Sequence, residues 1–247
     1  MTVHGAADVA SLLVDGYNIL GTVTEIDDKQ EALTEQTNTL GDAWEEHKFV
    51  GVRRAQIAQR GFYDDDALSV HAALATGPGN SSRVLTYQPA GTATGAPFKG
   101  MKAVQVDYAV EPGRAVLHKA VANYMSNGRF DEGKVLWTHK AFQADSSTNS
   151  GAIDHGASSL VGGAGYFQLT VFTSGANATA MLCRVQHSSD DVTYADLIAF
   201  TGATAAPVGQ RSELGSTVVV ERYVRMATSF QGGASAKAEF FVGFARY

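Results

Sequence analysis

The sequence predicts a mainly β chain in two parts: an N-terminal β-barrel or β-sandwich half carrying one α-helix, then a C-terminal antiparallel β-sandwich. Three observations predict it. Apolar and polar residues alternate with a period of two in segment after segment, as in strands that bury one face. Gly is abundant, 26 of 247 residues, beside 12 Phe and 9 Tyr, a profile of short strands joined by turns. Only the segment after Asp64 reads clearly as a helix.

In chain order, Ala10–Asn18, Val23–Lys29, Val50–Tyr63 and Arg83–Gln88 read as strands. Within Val50–Tyr63, Arg54, Gln56 and Arg60 share the face opposite Ala55 and Ile57. In Met101–Glu111, Val104, Val106, Tyr108 and Val110 fall on one face, and Ala103, Gln105, Asp107, Ala109 and Glu111 on the other. Glu111-Pro112-Gly113-Arg114 puts Pro and Gly at the central positions of a type II turn, which predicts a hairpin into Ala115–Met125. The helix is expected at about 64–76. Asp64-Asp65-Asp66 can cap its free N–H groups, and Gly77-Pro78-Gly79 ends it. An acidic triplet can also be read as a metal site; the cap accounts for it without further ligands.

Two polar stretches interrupt the pattern. Gln30–Lys48 is long for a loop inside a β domain, and such loops are usually functional. Trp44 within it serves either as a local anchor or as an aromatic plug in a neighbouring subunit, and the second use is favoured. The Ser- and Gly-rich stretch 143–163 reads as a linker between residues 1–142 and 164–247. Beyond it, Tyr166–Thr173, Thr179–His187, Tyr194–Thr201, Ser216–Ser229 and Lys237–Arg246 are strand-like. Phe240, Val242 and Phe244 are expected to face the core, with Glu239 opposite; Trp137 also reads as core.

Composition and motifs exclude several functions. Net charge is −6, from 19 Lys+Arg against 25 Asp+Glu, without the basic face that nucleic-acid binding requires. No apolar run approaches the roughly 18–20 residues of a membrane helix, and neither a membrane segment nor a signal peptide is expected. The lone Cys183 permits no intramolecular disulfide and shares a strand face with Met181 and Val185, as a buried structural thiol would. Seven His show no zinc-type spacing. Phosphate-binding loops and nucleophile elbows are missing, so no catalytic residue, metal or cofactor is expected, and the chain reads as a non-enzyme.

The residues resemble the tail tube proteins (major tail proteins) of long-tailed, siphovirus-like bacteriophages. In the N-terminal half the resemblance is carried, in order, by Val14-Asp15-Gly16-Tyr17-Asn18, Val23-Thr24-Glu25-Ile26-Asp27-Asp28, Leu40-Gly41-Asp42-Ala43-Trp44, and Gln59-Arg60-Gly61-Phe62-Tyr63 before the acid-capped helix. The C-terminal half is similar to a β-sandwich domain common in phage tail proteins, through Asp154–Gly163, Val185–Tyr194, Glu221–Arg225 and Phe241–Arg246.

The resemblance implies a virion structural protein, made in the host cytoplasm. It would assemble with itself in rings, usually of six barrels, stacked as the tail tube through which the genome is ejected. Closure of each ring removes exposed sheet edges, and head-to-tail stacking gives an open filament. The long loop, with Leu33, Leu40, Asp42, Trp44, Glu45, Glu46 and Lys48, would contact the next ring or subunit. Asp107 and Glu111 would line a lumen through which DNA passes without specific binding. Tape measure, tail terminator and distal tail proteins are the other implied partners. The alternative from a different class is a tail-surface adhesion or carbohydrate-binding sandwich, using Tyr166, Phe172, Tyr194 and Tyr223.

Overall fold

The computed structural model describes residues 8–36, 47–113, 116–144, 148–174, 179–231 and 236–247. The chain is mainly β, with antiparallel sheets and one small helix. Strands β1 (Ser11–Val14), β2 (Tyr17–Asn18), β3 (Val23–Gln36) and β4 (His47–Phe62) come first, then α1 (Val70–Leu74). They are followed by β5 (Arg83–Gln88), β6 (Pro97–Glu111), β7 (Lys119–Ala144), β8 (Thr148–Asn149) and β9 (Ile153–Asp154). The chain ends with β10 (Gly163–Thr173), β11 (Ala180–Ser188), β12 (Ala195–Ala199), β13 (Val208–Leu214), β14 (Tyr223–Gln231) and β15 (Ala236–Arg246).

One sheet runs through both halves of the sequence. Its order among the described residues is β13-β10-β15-β7-β6-β5-β1-β2, with β3 and β4 attached beside β7. Its organiser is β7, 26 residues long. Along one edge β7 pairs with β6. Along the other it pairs with β4 over Lys119–Met125 and with β15 over Lys134–Ala144. The connection from β6 to β7 is wider than the expected type II turn: Glu111 pairs with Lys119, so residues 112–118 bridge the two strands.

The sheet curls until its ends meet, but no closed barrel forms. A barrel needs a ladder at every strand boundary, and here side chains span the last one. Gln168 on β10 accepts from the Gly16 N–H with Oε1 at 2.6 Å and donates from Nε2 to the Val84 carbonyl at 2.9 Å. Gly16 has φ +88°, and a Cβ there would stand 2.4 Å from the Leu169 carbonyl oxygen. Only glycine fits this seam. Inside the curl lie Leu13, Val84, Phe98, Val135, Ala164, Tyr166, Phe241 and Ala245, drawn from both halves of the chain.

Two further cores cover the outer faces. The five-stranded sheet β12-β11-β14-β8, with β9 also on β14, packs on β10 and β15 around Phe167, Cys183, Val185, Met226, Phe240, Val242 and Phe244. This is the C-terminal sandwich. Trp137 packs there, stacked on Phe240 with centroids 5.8 Å apart. The stretch 143–163 contributes β8, β9 and a bridge from Ser159 to Val220, so it is partly strand-paired. The third core joins Ile57, Val70, Leu74, Leu85, Met101, Ala122 and Tyr124.

The helix is shorter than the expected 64–76 and starts after the acidic triplet. Asp64 instead builds the preceding turn: its carboxylate accepts from Asp66 N–H, and its carbonyl from the Ser69 hydroxyl and the His71 N–H. These local bonds compete with helix for the same backbone groups.

Candidate functional site

Among the described residues, the outer part of the β3–β4 hairpin is exposed along both strands, at 32–36 and at 47–49 and 51–54. Residues 30–48, expected as a loop, are strand up to Gln36 and again from His47, which pair with each other. The polar composition that suggests a loop here belongs to a ribbon wetted on both faces. The base is anchored. Ala55 and Ile57 are buried, the Ala55 N–H donates to Ser126 Oγ at 3.0 Å, Lys99 pairs with Asp28, and Gln30 donates to Glu132 at 3.2 Å.

Beyond the base no other described strand pairs with the ribbon, although Ala32, Val52 and Arg53 share an open cleft with Arg129, Glu132 and Tyr247. Among the described residues β3 has no partner but β4, and β4 pairs with β7 only from Gln56 onward. Leu33, Phe49 and Val52 are 41%, 50% and 53% exposed. The register shifts between Ala32 and Thr34, where Gly51 adopts φ +87° in open space. Such a bulge bends the strand and re-aims what lies beyond it. Across the strands, Arg54 grips Glu31 at 2.6–2.7 Å and Lys29 pairs with the same carboxylate. These cations, Lys29 first and then Arg54, hold Glu31 below the usual carboxylate range. The Arg53 guanidinium lies 5.6 Å from the centre of the Phe49 ring.

Of the expected contact residues, Leu33 and Lys48 are exposed on this arm. Leu40, Asp42, Trp44, Glu45 and Glu46 lie outside the described residues. Asp107 and Glu111 are both exposed on β6, which is not the regular strand expected: a bulge between Gln105 and Asp107 leaves Val106 and Asp107 both at the surface. The Asp107 carboxylate holds the backbone and side-chain N–H groups of Asn123 at 2.9–3.0 Å, whereas Glu111 meets Arg60 at 2.5 Å.

The sequence reading missed the arm's apolar surface, although Lys48-Phe49-Val50-Gly51-Val52-Arg53 carries a signal: large apolar residues beside a glycine in a polar stretch. It also missed a buried polar cluster. Asp131 accepts from Tyr166 Oη at 2.5 Å and from Arg211 Nη2 at 2.8 Å, and Arg211 continues to Glu213 and Tyr247. Burial, then the adjacent Asp131 charge, pushes the Tyr166 phenol well up. The cluster ties β7 to β10 and β13. Among the described residues no three His, Cys, Asp or Glu side chains could hold a metal ion. The Cys183 thiol is buried and pushed far up by that burial.

No family model and no curated protein matches the chain. Solved structures give distant likenesses. A component of the virion of a native gene transfer agent particle has 13% identity and a TM-score of 0.41, over 53% of this chain and 98% of that one. A component of the tail of an empty gene transfer agent particle, refined with C6 symmetry, has 13% identity and a TM-score of 0.40, over 52% and 97%. The SPP1 Dit protein, a paradigm of the hub adsorption apparatus in phages infecting Gram-positive bacteria, has 10% identity and a TM-score of 0.33, over 96% and 99%. With scores this low, a functional reading rests on the chain's own residues.

Proposed function

We propose that the chain is a non-enzymatic structural subunit of a phage-type virion tail, which polymerises as stacked rings into the tail tube and so forms a conduit for DNA. The observation that carries this reading is the β3–β4 arm, a two-stranded ribbon open on both faces. An isolated ribbon is marginal in water, and a long uncovered strand edge invites pairing with another chain. An arm that contacts a different surface of the next copy is a heterologous contact, and repetition of such a contact gives a filament. The order of sequence motifs shared with tail tube proteins supports the same reading, and so does the net charge of −6, which disfavours binding to passing DNA. Asp107 suits a lumen wall better than Glu111, because its partner Asn123 is uncharged while Glu111 is offset by Arg60.

Electron microscopy of the purified chain tests the proposal: rings or hollow tubes are expected. Replacing residues 33–49 by a short Gly-containing turn is expected to leave a folded monomer with an undiminished cooperative melt and no tubes. Tubes formed by that variant would exclude the arm as the assembling element; discrete monomers of the full chain in every condition would exclude the tube.

A further inference from the structure

Asp15-Gly16 and Asn127-Gly128 are the two places in the sequence where Asp or Asn directly precedes Gly, and the fold treats them oppositely. In such a pair the main-chain nitrogen of the glycine can attack the preceding side-chain carbonyl carbon, because no Cβ on the glycine obstructs the approach. At Asp15-Gly16 the groups that would react are all engaged. The Asp15 carboxylate accepts from the Val84 N–H at 2.7 Å and from Arg83 at 3.1 Å, and the Gly16 N–H donates to Gln168 at 2.6 Å. The backbone of Leu169 and Val208 closes over Gly16. Asn127-Gly128 lies instead in the widest irregularity of β7. On the β6 edge, Ala103 pairs with Ser126 and Met101 with Phe130, so residues 127–129 stand opposite Lys102 alone. On the other edge the pairing with β4 stops at Met125 and that with β15 begins at Lys134. Among the described residues, no strand pairs with 127–129 on either edge. Both Asn127 and Gly128 are exposed, and Gly128 has φ +110° with open space where a Cβ would stand. Asn127 Nδ2 donates to the Ser81 carbonyl at 2.7 Å, an exposed bond that water replaces readily.

We infer that Asn127 is a site of spontaneous covalent modification in the folded chain. The Gly128 main-chain nitrogen bonds to Asn127 Cγ, the Cγ–Nδ2 bond breaks, and the amide leaves as ammonia with the proton that Gly128 gives up. One water then opens the cyclic imide at either of its carbonyls, leaving residue 127 as aspartate in a normal or an iso-aspartyl linkage. The product has a carboxylate in place of the amide, so it can no longer donate to Ser81. It also brings a negative charge to the root of the arm, beside the cleft that Gly128 lines with Arg53 and Arg129. The iso-aspartyl form adds a carbon to the main chain of β7 where its pairing passes from β4 to β15.

Storage of the purified full chain at mildly alkaline pH, followed by peptide mass spectrometry, tests this. The peptide carrying Asn127 is expected to show the mass change of amide to acid, to take up label from heavy-oxygen water, and to separate into aspartyl and iso-aspartyl forms. Circular dichroism recorded during storage is expected to show the chain still folded. Asp15 is expected to keep its normal linkage until the chain is unfolded in urea, when both dipeptides react. Asn127→Gln keeps an amide donor but must close a larger ring, and is expected to stay unconverted at that position. Three results overturn the inference. Asn127 could remain intact in the folded chain for as long as the urea-unfolded chain takes to convert. The product could be normally linked aspartate alone, which is direct hydrolysis without attack by Gly128. Or conversion could be no faster than at the exposed Asn80 and Asn149, each of which precedes a serine.

Discussion

β15 and β3 are strands of comparable length, 11 and 14 residues, with opposite surroundings. β15 is covered on both faces: Phe240, Val242 and Phe244 enter the sandwich core, while Phe241 and Ala245 enter the curled sheet. β3 beyond Lys29 is covered on neither. Both escape the simple alternation of buried and exposed positions, β15 by running apolar through Phe240-Phe241-Val242 and β3 by running polar through Lys29-Gln30-Glu31. A strand's composition therefore reports how many layers lie against it, two, one or none. Residues of β15 should govern whether the chain folds; residues of the arm should govern what the folded chain does.

The largest effect that sharpens this contrast is at Phe240. Its ring is fully buried, stacked on Trp137 and edge-on to Phe167 at 6.1 Å. Phe240→Ala is expected to cost about 3–5 kcal/mol by lost burial and the cavity left behind, read as a lowered denaturation midpoint. A loss under about 1 kcal/mol would show that the sandwich core repacks freely and that β15 does not hold the two cores together.

A smaller loss is expected at the seam. Gln168→Leu keeps the side chain's bulk but leaves the Gly16 N–H without its acceptor, whereas the Val84 carbonyl still receives the Asp15 N–H at 2.9 Å. One orphaned buried donor costs about 1–3 kcal/mol. The midpoint should fall with the denaturant slope unchanged, and the Gly16 amide should exchange with solvent faster than its neighbours. Unchanged exchange at Gly16 would mean that other contacts hold the ends of the sheet together.

The fold was legible in the sequence where local pattern decides it. Val23–Lys29, Val50–Tyr63, Arg83–Gln88 and the facing of Phe240, Val242 and Phe244 follow from residue type and period, and so does the burial of Cys183. What period cannot show is pairing at a distance. Asp131 and Arg211 meet from 80 positions apart, and Gln168 reaches Gly16 across 152. Within the expected linker at 143–163, Thr148–Asn149 and Ile153–Asp154 pair with β14, because small and hydroxylated residues suit a sheet edge as well as a coil. The arm was legible in part. Its polarity marked it as unusual and led to Leu33 and Lys48, but a doubly exposed ribbon and a loop have the same composition, so Phe49 and Val52 went unread as surface.

The smallest effect on folding should accompany the largest on assembly, and Phe49 is where the two separate. Its side chain is half exposed, contacts the Arg53 guanidinium and lies outside all three cores. Phe49→Ser should therefore change stability by no more than about 0.5 kcal/mol, the usual range for surface sites, because little apolar area leaves or enters water within the monomer. In an assembled contact the exposed half of the ring would be buried, and removing it would forfeit roughly 0.8–1.5 kcal/mol per copy, about half the value for a fully exposed side chain. Summed over the copies of a ring, that loss should raise the concentration needed for polymer by more than tenfold, as measured by sedimentation of tubes against free chain. If Phe49→Ser instead lowers the melting midpoint as much as Phe240→Ala, the arm belongs to the fold and the contrast with β15 fails. If neither stability nor the polymerisation threshold moves, Phe49 is not in the contact, and Leu33 and Val52 become the apolar residues to test.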